Sequence, residues 1–382
     1  MSQRAAYGIV GGGIIGLAVA HGLCQLGHKD IVLFEAEEML GTQSTGKCAG
    51  GARAQFTTPV NIKLSQYSID AFVNFTARHG ISVDFNQHGY LFLLDNPTDM
   101  ERFGKNMELQ REMGVDVRPM TPAEIKKLQP HLKVDDLLGG TYCPTDGYGD
   151  PHGYLNGYAT LCRRHGVRIL TSCPVTAISG VDGALKKLTT PQGTWEVEHL
   201  LVAGGAWSAE ICKLFGVDIP LQPYKRQIHV TKPFAGVVDP VPLTIDFGCG
   251  LYFHRESGGL LLGKADPNEG PSFDQSVNED FMEVIVGDAL NRIPALESAE
   301  LLRGWAGLYE ITPDHHAILG RFDSLNEVYY ATGFSGHGFM HAPAVGDCMA
   351  AIMAGRKPPV DISPLSLDRF KTANLVNEFN VF

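Results

Sequence analysis

Residues 7–26 read YGIVGGGIIGLAVAHGLCQL. A short apolar run from Tyr7 to Val10 stops at three consecutive glycines, Gly11, Gly12 and Gly13. Residues 14–26 then place apolar side chains at helical spacing, among them Ile15, Leu17, Ala18, Leu23 and Leu26. A second apolar run, Ile31 to Phe34, ends at Glu35. The pattern is strand, tight turn, helix, strand. In Gly11-x-Gly13-x-x-Gly16 the first glycine permits the turn and the second lets a pyrophosphate approach the backbone. The third allows close packing of helix on strand. The helix N-terminus adds N–H groups and a positive dipole end. Glu35 stands 19 residues after Gly16, where a carboxylate accepts hydrogen bonds from ribose hydroxyls. A dinucleotide site is predicted on Gly11, Gly13, Ile14, Ile15, Gly16, Glu35 and Ala36. An acid at position 35 disfavours NADP. A strand–helix turn with no ligand is the bland alternative.

Composition narrows the class. The chain has 382 residues, which suits two to three domains. Lys+Arg 31 against Asp+Glu 42 leaves a formal charge of −11, a poor match to a nucleic-acid partner. Glycine is the outlier, with 44 residues where an average of about 7% would give far fewer. The eight cysteines form no C-x-x-C pair, which argues against a metal knuckle, an iron–sulfur cluster or a disulfide scaffold. Scattered thiols and the lack of a signal-like start lead us to expect a cytoplasmic location. The most apolar stretch, residues 7–26, holds six glycines with His21 and Gln25, so no membrane span is expected. His337 and His341 stand four apart, but no third ligand accompanies them, so no metal is expected.

Two further glycine clusters follow late apolar runs. Residues 200–203 lead into Gly204, Gly205 and Trp207, and residues 328–331 lead into Gly333, Gly336 and Gly338. Three glycine-lined strand ends, far apart in sequence, suggest one long cofactor across a fold built from several segments. An NAD domain would normally finish within its first 150–180 residues, so FAD is favoured over NAD. Elsewhere, helices are predicted at 61–79, 97–113, 121–128, 151–165 and 278–292. Strands are predicted at 90–94, 167–170, 224–230, 250–254, 259–263 and 328–331.

The chain resembles the D-amino-acid-oxidase-like FAD amine oxidoreductases. Within them it is most similar to sarcosine oxidase and to the β subunits of sarcosine oxidase and L-proline dehydrogenase. The resemblance rests on the N-terminal glycines and on Ser44-Thr-Gly-Lys-Cys-Ala-Gly-Gly-Ala-Arg-Ala-Gln-Phe56. It continues through Cys143-Pro-Thr-Asp-Gly147, Ala203-Gly-Gly-Ala-Trp-Ser208, Arg303-Gly-Trp-Ala-Gly-Leu-Tyr-Glu-Ile-Thr-Pro-Asp314 and Gly333-Phe-Ser-Gly-His-Gly-Phe339. It implies an α/β (α+β) fold: an FAD-binding Rossmann-like domain interleaved with a substrate domain built on an antiparallel sheet. We expect 1–82, 141–221 and 311–382 in the FAD-binding domain, and 83–140 and 222–310 in the substrate domain.

The same resemblance implies that the loop holding Ser44, Thr45, Lys47, Cys48, Ala49, Gly50 and Gly51 covers the flavin. It also implies that Arg53 meets a substrate carboxylate, a role that suits the two-pronged guanidinium. The expected cofactor contacts extend to Pro174, Val175, Ala203, Gly204, Gly205, Trp207, Gly307, Gly333, Phe339 and Met340. Gly336, His337 and Gly338 open the last helix, whose N–H groups are expected at the flavin edge that gains negative charge on reduction. His337 either adds a donor there or only caps and packs. Tyr252 and His254 alternate on one strand and are expected on one side, toward the ring. Tyr309 stands where amino-acid oxidases of this family carry a carboxylate-binding Arg, which shifts the expected substrate toward a secondary amine.

Gly307 takes the place of the flavin-linking Cys of monomeric sarcosine oxidases, so FAD is expected to be non-covalent. Leu261, with Lys264 nearby, takes the place of their oxygen-activating Lys, which favours a dehydrogenase. Met340 replaces their second carboxylate-binding cation. The expected activity is oxidation of a small amino acid, preferably sarcosine, an N-methyl amino acid or proline, to an imine. Its electrons would leave to oxygen, a quinone or a partner subunit, in a homo- or hetero-oligomer. Oxidation of a 2-hydroxy acid or glycerol phosphate stays open, as does a non-catalytic flavoprotein subunit or assembly partner.

Overall fold

The structure is a computed structural model that describes residues 3–371 and 375–381. Gln3–Val10 lies inside an eight-stranded sheet, parallel to Ile31–Phe34 on one side and to Gly193–Val202 on the other. Arg168–Leu170 continues the sheet beyond Ile31–Phe34, again parallel. The long strand Gly193–Val202 is shared along its far edge. Its first half pairs with Lys186–Thr190, and its end pairs in parallel with Val328–Thr332. Ala177–Ser179 and Ile318–Arg321 close the edges. Ile31–Phe34 and Val328–Thr332 are buried at every residue, as parallel strands covered on both faces must be.

Register brings the glycine clusters together. Val10 is opposite Val202, and Val202 is opposite Tyr330. The residues that follow, Gly11–Gly13, Gly204–Gly205 and Gly333–Gly336, therefore leave neighbouring strands at one edge of the sheet. Two helices cover that face, Ile14–Gln25 and Gly338–Met353. They approach through small residues. A Cβ on Gly346 would lie 2.7 Å from the Ala18 Cβ, and one on Gly22 would lie 2.8 Å from the Ala350 Cβ.

A second eight-stranded sheet runs in the order Leu301–Ile311, Gln222–Thr231, Gly259–Lys264, Leu251–Glu256, Leu243–Asp246, Tyr90–Leu94, Gly139–Cys143, Arg118–Met120. It is antiparallel except where Leu243–Asp246 meets Tyr90–Leu94. The boundaries expected at 140/141 and 310/311 each fall within a strand of this sheet, since pairing runs on to Cys143 opposite Tyr90 and to Ile311 opposite Gln222. A small sheet of Gly51–Ala52, Gly147–Gly149 and Phe85–Asn86 lies between the two large ones in sequence and joins the loop after Cys48 to the rest.

The helix expected over 61–79 is two, Pro59–Val73 and Phe75–His79. They meet at Asn74, whose backbone N–H and side-chain amide both donate to the Asp70 carbonyl, at 3.1 and 2.9 Å. Thr121 and Glu124 form a capping box on Pro122–Leu128.

The outer face of the second sheet packs Leu91, Leu93, Phe253 and Leu262 against Phe281, Ile285 and Ala289 of the helix Glu279–Arg292. The helix ends in a buried ion pair. Arg292 donates through Nε to Asp246 Oδ2 at 2.7 Å and through both Nη atoms to Asp136 at 2.9 Å. Arg292 and Asp246 are 5% and 4% exposed, so neither charge has water to fall back on. Arg292→Met strands the Asp246 carboxylate in the core. It is expected to cost about 3–5 kcal/mol, read as a lower urea midpoint, whereas replacing both partners with apolar residues should cost much less.

Candidate functional site

The three glycines of the first turn do different work. Gly11 has φ +120°, and a Cβ on it would lie 2.1 Å from the Ala203 carbonyl oxygen. A Cβ on Gly16 would lie 2.0 Å from the Gly11 carbonyl oxygen. Both glycines are consumed by packing of protein on protein. Gly13 differs, because a Cβ there would meet only Thr45 Oγ1, at 3.3 Å. The space in front of Gly13 belongs to a cavity of about 450 Å³.

That cavity runs along the glycine-lined edge of the first sheet. Of the expected cofactor contacts, Gly11, Gly13, Ile14, Ile15, Glu35, Ala36, Ser44, Thr45 and Cys48 line it. So do Pro174, Val175, Ala203, Gly204, Gly205, Trp207, Gly336, Gly338 and Phe339. At one end the helix Ile14–Gln25 begins with Gly13 as its cap. Gly13 has no side chain to cap it, and no acid stands in its first turn. Ile14 N–H donates to Thr45 Oγ1 at 3.2 Å. Glu35 accepts Gly12 N–H at 2.7 Å on one oxygen and Glu37 N–H at 2.9 Å on the other. Each oxygen keeps a lone pair for a further donor. Burial pushes the Glu35 pKa up, and these N–H groups pull it back. Toward the other end the walls are Leu308, Tyr309, Phe334 and Phe339. A helix N-terminus open to an anion, a carboxylate with acceptor capacity left for a diol, and an apolar end for a flat ring fit FAD.

The remaining expected contacts lie outside the cavity lining, each for a visible reason. Gly16 is held under Gly11. A Cβ on Gly50 would lie 2.1 Å from the Gly149 carbonyl oxygen, and one on Gly51 would lie 2.9 Å from Leu243 Cδ1. The Ala49 carbonyl faces His254 Nε2 at 2.9 Å. Lys47 is bonded to Gln275, and its Cβ fills the place where a Gly307 side chain would stand. Gly333, at φ +71°, turns against Thr312, and Met340, in the first turn of the last helix, packs into the core.

Arg53 is 1% exposed and also stands away from the cavity. Its Nη1 donates to the Gln55 carbonyl at 2.6 Å, and its Nη2 donates to the Asn380 carbonyl. Its guanidinium lies 3.9 Å over the Phe56 ring. The cation expected to receive a substrate is committed to tying the chain's last described residues to this loop. His337 caps the last helix but packs edge-on against Phe56 behind the wall. Burial, reinforced by the Arg53 charge, holds its pKa far below the usual histidine value.

The inner face of the second sheet closes the apolar end. Tyr309 lies on Leu301–Ile311, and its ring packs where a Gly336 side chain would be, 2.3 Å from that Cβ position. Gly336, at φ +93°, is therefore glycine for two reasons. Tyr252 lies over Gly263, and His254 stacks on Tyr148 at 4.2 Å. Both face inward, as alternation predicts, but neither lines the cavity. Burial raises the pKa of Tyr90, Tyr252 and Tyr309, so all three stay protonated at neutral pH. Lys264 pairs with Asp288 on the helix across the outer face, away from the site, whereas Leu261 faces inward opposite His254.

Two residues escaped the sequence reading. Glu310 lines the cavity with its carboxylate toward Phe334 N–H, and burial pushes its pKa up to about 7. Arg226 lies on the inner face with its guanidinium 4.8 Å from the Tyr309 ring centroid. A cation within the alternation Tyr224, Arg226, Ile228, Val230 was the signal available for it.

Known proteins share this architecture. The model of the family described as DAO, FAD dependent oxidoreductase, matches residues 7–352. FAD-dependent oxidoreductase domain-containing protein 1 of Xenopus laevis is 31% identical, across 99% of this chain and 85% of that protein. The mitochondrial dimethylglycine dehydrogenase of Rattus norvegicus is 28% identical across 96% of this chain, which spans only 45% of that enzyme. The crystal structure of L-proline dehydrogenase from P. horikoshii superimposes with a TM-score of 0.90 at 31% identity, covering 98% of this chain and 100% of that one. With a glycine-lined cavity that fits FAD at the edge of its first sheet, the chain belongs to the DAO family of FAD-dependent oxidoreductases.

Proposed function

We propose that the enzyme oxidises a small amino acid whose nitrogen is a secondary amine, such as sarcosine, another N-methyl amino acid or proline. The observation that carries this reading is Tyr309 on the wall at the apolar end of the cavity, with Tyr252 and Tyr90 behind it on the same inner face of the second sheet. Aromatic faces offer apolar packing to an N-methyl group or a pyrrolidine ring. Their dry surroundings favour the neutral amine over the ammonium, which is required because the nitrogen lone pair forms the C=N bond as hydride leaves the adjoining carbon. FAD, when bound, supplies the hydride acceptor. The product imine then hydrolyses in water. The likeness to L-proline dehydrogenase supports a secondary amine, and the likeness to dimethylglycine dehydrogenase, whose named substrate is a tertiary amine, supports only the wider class of N-alkylated amino acids.

Electrons then pass to an acceptor other than oxygen, a quinone or a partner subunit. Lys264 supports this choice, because its pairing with Asp288 directs its charge to the outer face of the sheet. The flavin is held without a covalent bond. Cys48 is the thiol of the covering loop on the cavity wall, and burial pushes its pKa up to about 12, so it is no nucleophile at neutral pH. The reducing compartment suggested by the scattered thiols belongs to this proposal too.

Three measurements test these points. Sarcosine or proline, added without oxygen, is expected to bleach the flavin of the holoenzyme, with dye reduction far exceeding peroxide formation in air. If no amino acid in a panel of secondary and primary amines bleaches it, the reading fails. Acid precipitation is expected to leave the yellow colour in the supernatant, and colour in the pellet would refute non-covalent binding. Gly13→Val fills the space in front of the helix N-terminus and is expected to yield folded but colourless protein.

A further inference from the structure

The inner face of the second sheet carries a cation to which the reading above gives no task. Arg226 lies on Gln222–Thr231 directly opposite Gly307, and its neighbour Tyr224 is opposite Tyr309. The guanidinium therefore sits above the Tyr309 ring. Its Nη1 donates only to the carbonyl of the preceding residue, Lys225, at 2.9 Å. Its Nε is shielded from solvent and meets no acceptor among the described residues.

The cations around it are all engaged. Lys225, on the opposite face, pairs with Asp274 at 2.8 Å and with Glu269 at 3.3 Å. Lys264 pairs with Asp288, Lys47 holds Gln275, and Arg53 holds the Gln55 and Asn380 carbonyls. A shielded guanidinium N–H with no acceptor is costly, and the cost is removed when a ligand brings an anionic oxygen to it.

We propose that Arg226 receives the carboxylate of the amino-acid substrate, through two parallel N–H···O bonds in which Nε takes part. The inference rests on the amino-acid reading above and deepens it by naming the group that distinguishes an amino acid from a simple amine. The fork of donors matches the two carboxylate oxygens. Stacking on Tyr309 fixes the fork, so a carboxylate held there keeps the adjoining carbon and nitrogen beside the Tyr309 ring, at the cavity wall. Arg226 thus takes the role that the family resemblance implied for Arg53.

The test compares flavin-loaded wild type, Arg226→Met and Arg226→Lys. Two quantities are measured. One is kcat/KM for N-methylglycine relative to dimethylamine, its counterpart without a carboxylate. The other is the Kd for pyrrole-2-carboxylate, read from the shift it causes in flavin absorbance, which needs no turnover. In Arg226→Met the ratio is expected to fall by roughly 100-fold and the Kd to rise by a similar factor, with part of both recovered in Arg226→Lys. An unchanged ratio and Kd in flavin-containing variants overturn the assignment, as does wild type that does not bind pyrrole-2-carboxylate. If Arg226→Met does not fold, Arg226→Lys decides, and wild-type affinity in that variant overturns the proposal. If wild type binds pyrrole-2-carboxylate but no amine reduces its flavin, the amine reading falls and the titration alone judges Arg226.

Discussion

The contact on which the molecule depends is between two backbones. Gly11 and Ala203 end adjacent parallel strands, and no Cβ fits between the Gly11 α-carbon and the Ala203 carbonyl. That approach keeps Val10 and Val202 in register. It therefore sets how far apart the first and second glycine clusters lie, and through the next strand pair it places the third. A side chain at Gly11 would wedge the strands apart and spoil a cavity edge built from three distant parts of the chain. Gly16, locked on the Gly11 carbonyl, aims the first helix from the same point.

The second constraint is electrostatic. Most cations of the second sheet find carboxylates on its outer face or rim, as with Lys225 and Lys264. Its inner face is dominated by tyrosines and aliphatic side chains. Chemistry on a neutral amine needs that kind of surface, because a nearby unpaired carboxylate would stabilise the ammonium. The acid on the cavity wall that most resists ionisation is Glu310, whose pKa near neutrality leaves a large protonated fraction.

Much of this was legible in the sequence, and the reason is local. Glycine clusters after apolar runs specify strand ends regardless of the rest of the fold, so the first turn, Gly204–Gly205 and the last helix were found where they lie. Tyr309 was found by its resemblance to a family position. Arg53 shows the limit. Its surroundings include the Asn380 carbonyl, which is remote in sequence and beyond any local pattern. Glu310 and Arg226 were missed because their significance depends on which strand lies opposite, as in the pairing of Arg226 with Gly307. The break at Asn74 was missed because apolar periodicity continues through it from one helix into the next.

The cavity has a thermodynamic consequence. Its walls come from the first sheet, from the loop after residue 41 and from Tyr309 of the second sheet, so only the assembled chain presents them. A ligand that binds the folded form and not the unfolded one stabilises it by an amount that grows with the logarithm of its free concentration. FAD is in this sense a piece of the interior delivered from solution. By the same linkage, a shortage of flavin lowers the stability of the folded chain as well as the fraction of it that carries cofactor.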